Sequence, residues 1–315
     1  MLNSSSLPKV TVLVITYNHI KFIVQALDSV LIQQVNFDYE ILISEDCSTD
    51  GTRELVINYQ QRFPEKIRLI LSQENIHSNQ VVARGIHAAR GQYIALLDGD
   101  DYWTSPKKLQ KQVDFLDQHP ECSMCFHNVL AFYENSDQET WNWNSERQKV
   151  FSTLEDIWKG NFIATCSTMF RRGLFGEVPT WYDDFFPITD WPLHILNAEH
   201  GLIGYIPDVM GAYRHHSGGL YSIFDETARL EKILNFYKKI NISFDFKYDS
   251  IVKAALSNYF YEWAKEYEKR GDLENAKKCF RICISEKPLN KFIKPQWLIR
   301  LWIKVYLLSW FDNFS

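Results

Sequence analysis

The sequence predicts an α/β fold, a mainly parallel sheet with helices on both faces, followed by an α-helical C-terminal region. Three observations carry that expectation. Short β-branched runs alternate with amphipathic segments through residues 10–97, acidic clusters stand where the expected strands end, and from Glu226 onward the pattern is helical. A βαβ order requires right-handed crossovers, and the sheet they feed is covered on both faces.

Val10–Thr16 (VTVLVIT) is a β-branched run bounded by a turn, the mark of a buried parallel strand. Lys21–Val35 follows, with Phe22, Ala26, Leu27, Val30 and Leu31 at helical spacing. Glu40–Ser44 reads as a second strand, Thr52–Arg62 as a second helix, Ile67–Ser72 as a third strand, Asn79–Ala89 as a third helix and Tyr93–Leu97 as a fourth strand. Ligands of open α/β sheets bind beyond the carboxyl ends of the strands. Here those ends are followed by Tyr17-Asn18, Glu45-Asp46-Cys47-Ser48, Gln73-Glu74-Asn75 and Asp98-Gly99-Asp100-Asp101. Converging like charges rarely help folding, and are tolerated where a cation or a ligand's hydrogen-bond donors need them.

From Phe126 to Ser222 the pattern is less regular, with Asn161–Arg171 read as a strand and Gly204–Ile206 as a short one before Pro207-Asp208. Ala254–Lys269 and Leu273–Glu286 form a helix–turn–helix about Gly271-Asp272. Trp263, Ala264, Tyr267, Gly271, Ala276, Phe280 and Pro288 make residues 254–288 look like one tetratricopeptide-type unit. A single unit cannot bury its own face, so it is expected to dock on the main domain or on a partner. The aromatic tail Trp297–Phe311 suits an interfacial membrane helix, and equally a helix packed on the domain or on a twin subunit.

Composition narrows the function classes. A chain of 315 residues can hold one large domain plus an accessory element, with a core that needs no disulfide or metal staple. Its 34 basic against 39 acidic residues give a net charge of −5 without a long basic block, so nucleic acid is excluded as a partner. Aromatics at 15%, including 10 Trp and 16 Tyr, suit sites for sugars or bases, and suit a core equally well. Cys122 and Cys125 have C-x-x-C spacing but no matching second pair, so neither a zinc site nor a disulfide framework is expected. The Ser-rich start lacks the features of a signal peptide and no run reaches the length of a membrane span. The expected location is cytoplasmic, with the tail allowing peripheral attachment on the cytosolic face of a membrane.

Four stretches then occur in order: Val12–Asn18 (VLVITYN), Tyr39–Thr52 (YEILISEDCSTDGT), Ala89–Ile94 (ARGQYI) and Leu96–Trp103 (LLDGDDYW), followed by Pro106-Lys107-Lys108-Leu109. With them Val10–Asn128 resembles the nucleotide-sugar-binding half of the GT-A fold of inverting glycosyltransferase family 2, and a weaker match continues to Ser222. The resemblance implies a GT-A domain over 1–225, with a donor half at 8–128 and an acceptor half at 129–225, and a helical region over 226–315.

It also implies roles. Thr16, Tyr17 and Asn18 would hold the base and ribose, and Glu45 and Asp46 would accept hydrogen bonds from the base. Glu45 stands where many relatives carry Asp, which leaves the base open although a UDP-sugar is the expected donor. Arg84 would face a phosphate. In Asp98-Gly99-Asp100 the residues at i and i+2 project the same way, with Asp98 for the ribose and Asp100 for Mn2+ or Mg2+. Inversion needs one general base, and Thr189-Asp190-Trp191 supplies Asp190. Asp183 and Asp184 are rivals by composition, and Asp190 also suits the cap of a helix over Pro192–Glu199. Tyr213–Gly219 resembles a loop that closes over the diphosphate, where His216 would complete the metal shell. Asp101, Trp191 and His215 would support these groups or line the acceptor side.

The implied activity is metal-dependent inverting transfer of a sugar from a nucleotide-diphosphate donor to a hydroxyl of a glycan or lipid-linked oligosaccharide, in surface polysaccharide synthesis. Two other classes stay open. A nucleotidyltransferase would want a Gly/Lys/Arg-rich phosphate loop after the first strand, where this chain has Thr16-Tyr17-Asn18-His19. A non-catalytic scaffold would act through the helical C-terminal region or by self-association, and would have no need of Asp98, Asp100 and Asp190.

Overall fold

The computed structural model describes residues 7–219 and 225–308. The chain divides into two compact units, Met1–Leu154 with Phe162–Ile223, and Glu155–Asn161 with Phe224–Ser315.

The first unit opens with β1 (Val10–Thr16), α1 (Ile23–Leu31), β2 (Tyr39–Glu45), α2 (Thr52–Arg62), β3 (Ile67–Leu71), α3 (Gln80–Ala88) and β4 (Tyr93–Asp98). The strands pair in parallel in the order β3-β2-β1-β4. β1 is central, and Val10, Val12, Leu13 and Val14 are wholly buried, as a strand covered on both faces requires. One cover is α1, whose Ile23, Ala26, Leu27 and Val30 form the buried stripe. α3 lies so close to β1 that a Cβ at Gly85 would stand 2.4 Å from Leu13 Cδ1. α1 is shorter than the spacing predicts because Gln33 ends it. Its amide donates to Ser29 O at 3.2 Å and Ser105 O at 2.8 Å, and accepts from Leu109 N–H at 3.0 Å, which turns the chain away.

The unit continues with β5 (Tyr102–Trp103), α4 (Lys108–Gln118), β6 (Cys122–Tyr133), β7 (Trp141–Asn142) and β8 (Phe151–Ser152). After the short helix α5 (Leu154–Lys159) come β9 (Met169–Arg171), α6 (Asp190–Ala198) and β10 (Leu202–His215). The described residues thus build one sheet of ten strands, ordered β3-β2-β1-β4-β9-β6-β10-β5, with β7 on β6 and β8 on β10. β9 is antiparallel to both β4 and β6, and β10 is parallel to β6. It follows that β6 and β10 point the same way as β4.

Two expectations are corrected here. Of the strand expected over Asn161–Arg171 only Met169–Arg171 pairs, because Thr165–Ser167 coils into a 3-10 turn closed by Ser167 Oγ on Ala164 O at 2.6 Å. The strand expected at Gly204–Ile206 runs on to His215. Pro207-Asp208 is absorbed in a bulge, with register shifts between Ile206 and Val209 and between Val209 and Gly211.

The second unit holds most of α5 together with α7 (Glu226–Ser243), α8 (Asp249–Lys269), α9 (Leu273–Glu286) and α10 (Pro295–Trp302), which runs on as a π-helical turn over Ile303–Leu308. Trp158 of α5 is fully buried, and its carbonyl accepts from the Tyr237 hydroxyl at 2.7 Å. The α8–α9 hairpin turns at Gly271, φ +80°, and Asp272 caps α9 through Asn275 N–H at 3.1 Å. In the tail Leu298, Leu301 and Val305 are buried while Trp297, Ile299 and Trp302 are exposed; residues 309–311 of the expected tail lie outside the described residues. No helix among the described residues is long and apolar enough to cross a membrane.

Candidate active site

Because β1, β2, β4, β6 and β10 run in one direction, their carboxyl ends share one edge of the sheet. Asp98 closes β4 opposite Ile15. The chain then turns at once, with Gly99 N–H donating to Ile15 O at 2.8 Å and Asp101 N–H to Asp98 O at 3.1 Å. A Cβ at position 99 would lie 2.6 Å from Thr16 Oγ1 and 2.8 Å from His19 Nδ1, so only glycine lets β4 and the β1 loop approach.

Asp100 sits between two imidazoles. Its Oδ2 is 2.9 Å from His216 Nε2 and 3.5 Å from His19 Nε2, while His19 Nδ1 is 3.2 Å from Thr16 Oγ1. Burial works to raise the Asp100 carboxyl, but His19 and His216 outweigh it and hold it below its ordinary value. His19 in turn is lowered by burial, against the pull of Asp100. Asp98 and Asp101 go the other way. Burial first, and then the charges of Asp100 and Asp190 on Asp98 and of Asp100 and Asp98 on Asp101, push both carboxyls well up.

Arg214 braces this turn from the end of β10. Its N–H donates to Asp101 Oδ1 at 2.8 Å, its Nε to Asp100 O at 2.9 Å and its Nη2 to Gln25 Oε1 at 2.7 Å, while Nη1 pairs with Glu134. The guanidinium lies 4.5 Å over the Phe22 ring.

Asp190 arrives from α6, as its first residue. Its Oδ1 accepts Trp191 N–H at 2.7 Å and its Oδ2 is 3.4 Å from Thr165 Oγ1, and the same threonine is near enough to Asp98 to stabilise its charged form. Tyr182 anchors the start of α6 by donating to Thr189 O at 2.6 Å. The rival Asp183 is held by the Ser78 hydroxyl and by Gln80 Nε2 at 3.0 Å, and Trp191 is buried.

The remaining expected residues line the ends of β1 to β3. Tyr17 is 37% exposed, with its ring edge-on to His77. Asn18, at φ 55°, ties two loops by accepting Thr49 N–H at 2.8 Å and donating its own N–H to Ser48 Oγ at 2.9 Å. Glu45 is fully buried, and its oxygens are taken by Ser48 N–H at 2.5 Å and Arg53 Nε at 2.7 Å. Asp46 accepts from Ser72 Oγ at 2.9 Å and Ile76 N–H at 3.1 Å. Arg84 spends its fork on Ser44 Oγ at 2.9 Å, Ser72 Oγ at 2.6 Å and Glu45 O at 3.0 Å. The structure therefore gathers Thr16, Asp98, Asp100, Asp101, Asp190 and His216 at one centre, and sets Glu45, Asp46 and Arg84 in a bonded layer beside it. His215 stacks on Trp141.

Sequence reading passes over His19 and Thr165. The signal available for His19 was its place directly after Asn18, at a strand end. Thr165 carried none, since it falls inside the segment read as strand.

The family model described as glycosyl transferase family 2 matches residues 11–178. An uncharacterised protein of Mycobacterium tuberculosis is 37% identical over 212 residues, 66% of this chain and 59% of its own. A Bacillus subtilis glycosyltransferase named for teichuronic acid biosynthesis is 37% identical over 174 residues, 54% of this chain and 65% of its own. The chain thus spans less than two thirds of the length of these relatives. Among solved structures, Staphylococcus aureus TarS 1–349 with UDP-GlcNAc superposes at a TM-score of 0.59 with 18% identity, covering 87% of this chain and 81% of that one. The Pyrobaculum calidifontis mannosyltransferase with GDP-Man and Mn2+ gives 0.56 with 16% identity, covering 98% and 88%. These likenesses establish the GT-A-like mixed, mostly parallel sheet followed by helices, and the extent of the family match establishes more: this chain belongs to glycosyl transferase family 2.

Proposed function

We propose that the protein is a metal-dependent inverting glycosyltransferase that moves a sugar from a nucleotide-diphosphate donor, a UDP-sugar, to a hydroxyl of a glycan in surface polysaccharide synthesis. The observation that supports this best is the meeting of Asp98, Asp100 and Asp190, from β4, its turn and α6, with Thr165 between the outer two. The names of the Bacillus subtilis relative and the UDP-GlcNAc in the Staphylococcus aureus structure support the donor and acceptor classes.

The residues fit Mg2+ or Mn2+. Crowded, partly buried carboxylates that oppose one another's charge are what a divalent cation relieves, and such ions are ordinarily held by one or two carboxylates plus substrate phosphates. Asp100 and His216 would hold the ion; when bound, it supplies the charge that stabilises the departing diphosphate. Asp98 accepts from the ribose. Thr16, Tyr17 and Asn18 frame the nucleoside, and the bonded layer of Glu45, Asp46 and Arg84 keeps that frame in place. Asp190 takes the proton from the acceptor hydroxyl while the oxygen of that hydroxyl forms the bond to the anomeric carbon. The carbon–phosphate-oxygen bond breaks on the opposite face, and its electron pair leaves with the diphosphate.

Calorimetric titration of UDP, GDP and their sugar conjugates, with Mn2+ and with EDTA, tests this reading. Metal-dependent binding of one nucleotide, lost in Asp100→Ala and kept in Asp190→Asn, is expected. A folded protein that binds no nucleotide with metal present removes the donor site and favours a scaffold.

A further inference from the structure

The carboxyl ends of β6 and β10 lie side by side, with Tyr213 opposite Ala131 and His215 opposite Tyr133. Side chains alternate along each strand. Arg214 and Phe132 share one face, where the guanidinium is 5.0 Å from the ring. Tyr213, His215 and Tyr133 take the other face, joined by Trp141 and Trp143 from β7 and its continuation.

These rings form a continuous ladder. Trp143 and Tyr213 are 5.0 Å apart, Tyr213 and His215 4.9 Å, His215 and Tyr133 5.0 Å, and His215 and Trp141 5.4 Å at an interplanar angle of 22°. The inner rung, Tyr213, is close enough to the acidic centre to feel Asp101, Asp100, Asp190 and Asp98 together. The outer rungs open to solvent, Trp141 at 39% and Tyr133 at 43% exposure.

Their position is fixed by polar pairing rather than by burial. Asn128 Oδ1 accepts Asn144 N–H and its Nδ2 donates to Asn144 O, both at 2.9 Å, and Trp143 N–H donates to Val129 O at 2.9 Å. Exposing two large rings in a pinned cluster gains nothing for folding, and grouped exposed aromatics mark binding surfaces.

The sheet order says which ligand. The nucleoside frame lies at the ends of β1 and β2, whereas the ladder stands on β6 and β10, with β4 and β9 between them. A molecule on the ladder therefore approaches Asp98 and Asp190 from the side away from the nucleoside, as the acceptor must.

We propose that Tyr133 and Trp141, joined through His215, form the platform on which sugar rings of the acceptor glycan stack as its hydroxyl reaches Asp190. The apolar faces of sugar rings match these flat amphipathic side chains. The inference rests on the transferase reading given above.

A glycan array of defined oligosaccharides, probed with the full chain and followed by titration of the glycans retained, tests it. UDP and GDP titrations with Mn2+ run in parallel. The wild-type protein is expected to retain at least one glycan, and Trp141→Ala and Tyr133→Ala each to weaken it by about tenfold or more, with Trp141→Phe losing less. Nucleotide affinity and melting temperature should be unchanged. Unaltered glycan affinity in folded Trp141→Ala, or a protein that binds nucleotide but no glycan on the array, overturns the platform. Loss of nucleotide rather than glycan binding in the variant also overturns it, in favour of a donor contact. Glycan binding that depends on Trp141 in a protein that binds no nucleotide upholds the platform and removes the transferase reading instead.

Discussion

A side chain at position 99 has nowhere to go, with Thr16 Oγ1 and His19 Nδ1 both inside 3 Å of its Cβ. Gly99→Ala should therefore cost about 1–3 kcal/mol of stability in urea unfolding, through displacement of the β1 loop. Nucleotide binding should fall with it, since Thr16 and His19 flank Asp100. An alanine variant as stable as the wild type would mean that the turn has slack that these distances exclude. Asp190→Asn keeps the shape of its side chain and removes its ability to take a proton. If Asp190 is the base, transfer should fall by about a hundredfold or more with nucleotide affinity unchanged, measured as release of nucleotide diphosphate. At this scale the sequence is informative about Asp98 and Asp100, because an acidic cluster at a strand end stands out, whereas Asp190 is singled out from Asp183 and Asp184 only by the family resemblance of Thr189-Asp190-Trp191. It is silent about Thr165 and nearly so about His19, whose significance comes from what lies across space from them.

The elements fall into two sets. β1 to β4 and the helices between them follow from local pattern, because β1, β2 and β4 are buried on both faces, the edge strand β3 keeps a β-branched run, and each helix has one apolar stripe. β6 and β10 are less legible. Eleven pairings with β6, interrupted by register shifts, make a fourteen-residue strand of Leu202–His215, and a proline within it argues locally for an end. The short β7 depends on Asn128, whose side chain serves as a second backbone for Asn144. Asn128→Ala leaves those groups without partners and should lower stability by about 1–3 kcal/mol. It should also loosen Trp141, read as a change in its fluorescence polarisation. A variant with unchanged stability would show that β7 is held by its rings alone.

For the whole molecule, acid should act through buried imidazoles. His127 is pushed down to about 3 and His194 to about 4, in both cases chiefly by burial. Below about pH 6.5 the unfolded chain takes up a proton that the folded chain refuses, so each histidine removes about 1.4 kcal/mol per pH unit until its folded value is reached. Asp98 and Asp101, with raised values, contribute in the opposite sense, so the test is a difference. His194→Gln should lose less stability than the wild type between pH 7 and pH 5 in urea unfolding, and parallel losses would refute the assignment. The same scale shows what was legible. The sequence by itself determined the βαβ order, the acidic strand ends, the family and the helical character of the C-terminal region, because each is written in residues close together along the chain. The tertiary structure decided what depends on pairing between distant segments. It set β9 between β4 and β6, gave Asp100 its two histidines, placed α5 in the helical unit and aligned five rings from three stretches of chain beside the acidic centre. Local pattern encodes which face of an element is buried, but not which neighbour buries it.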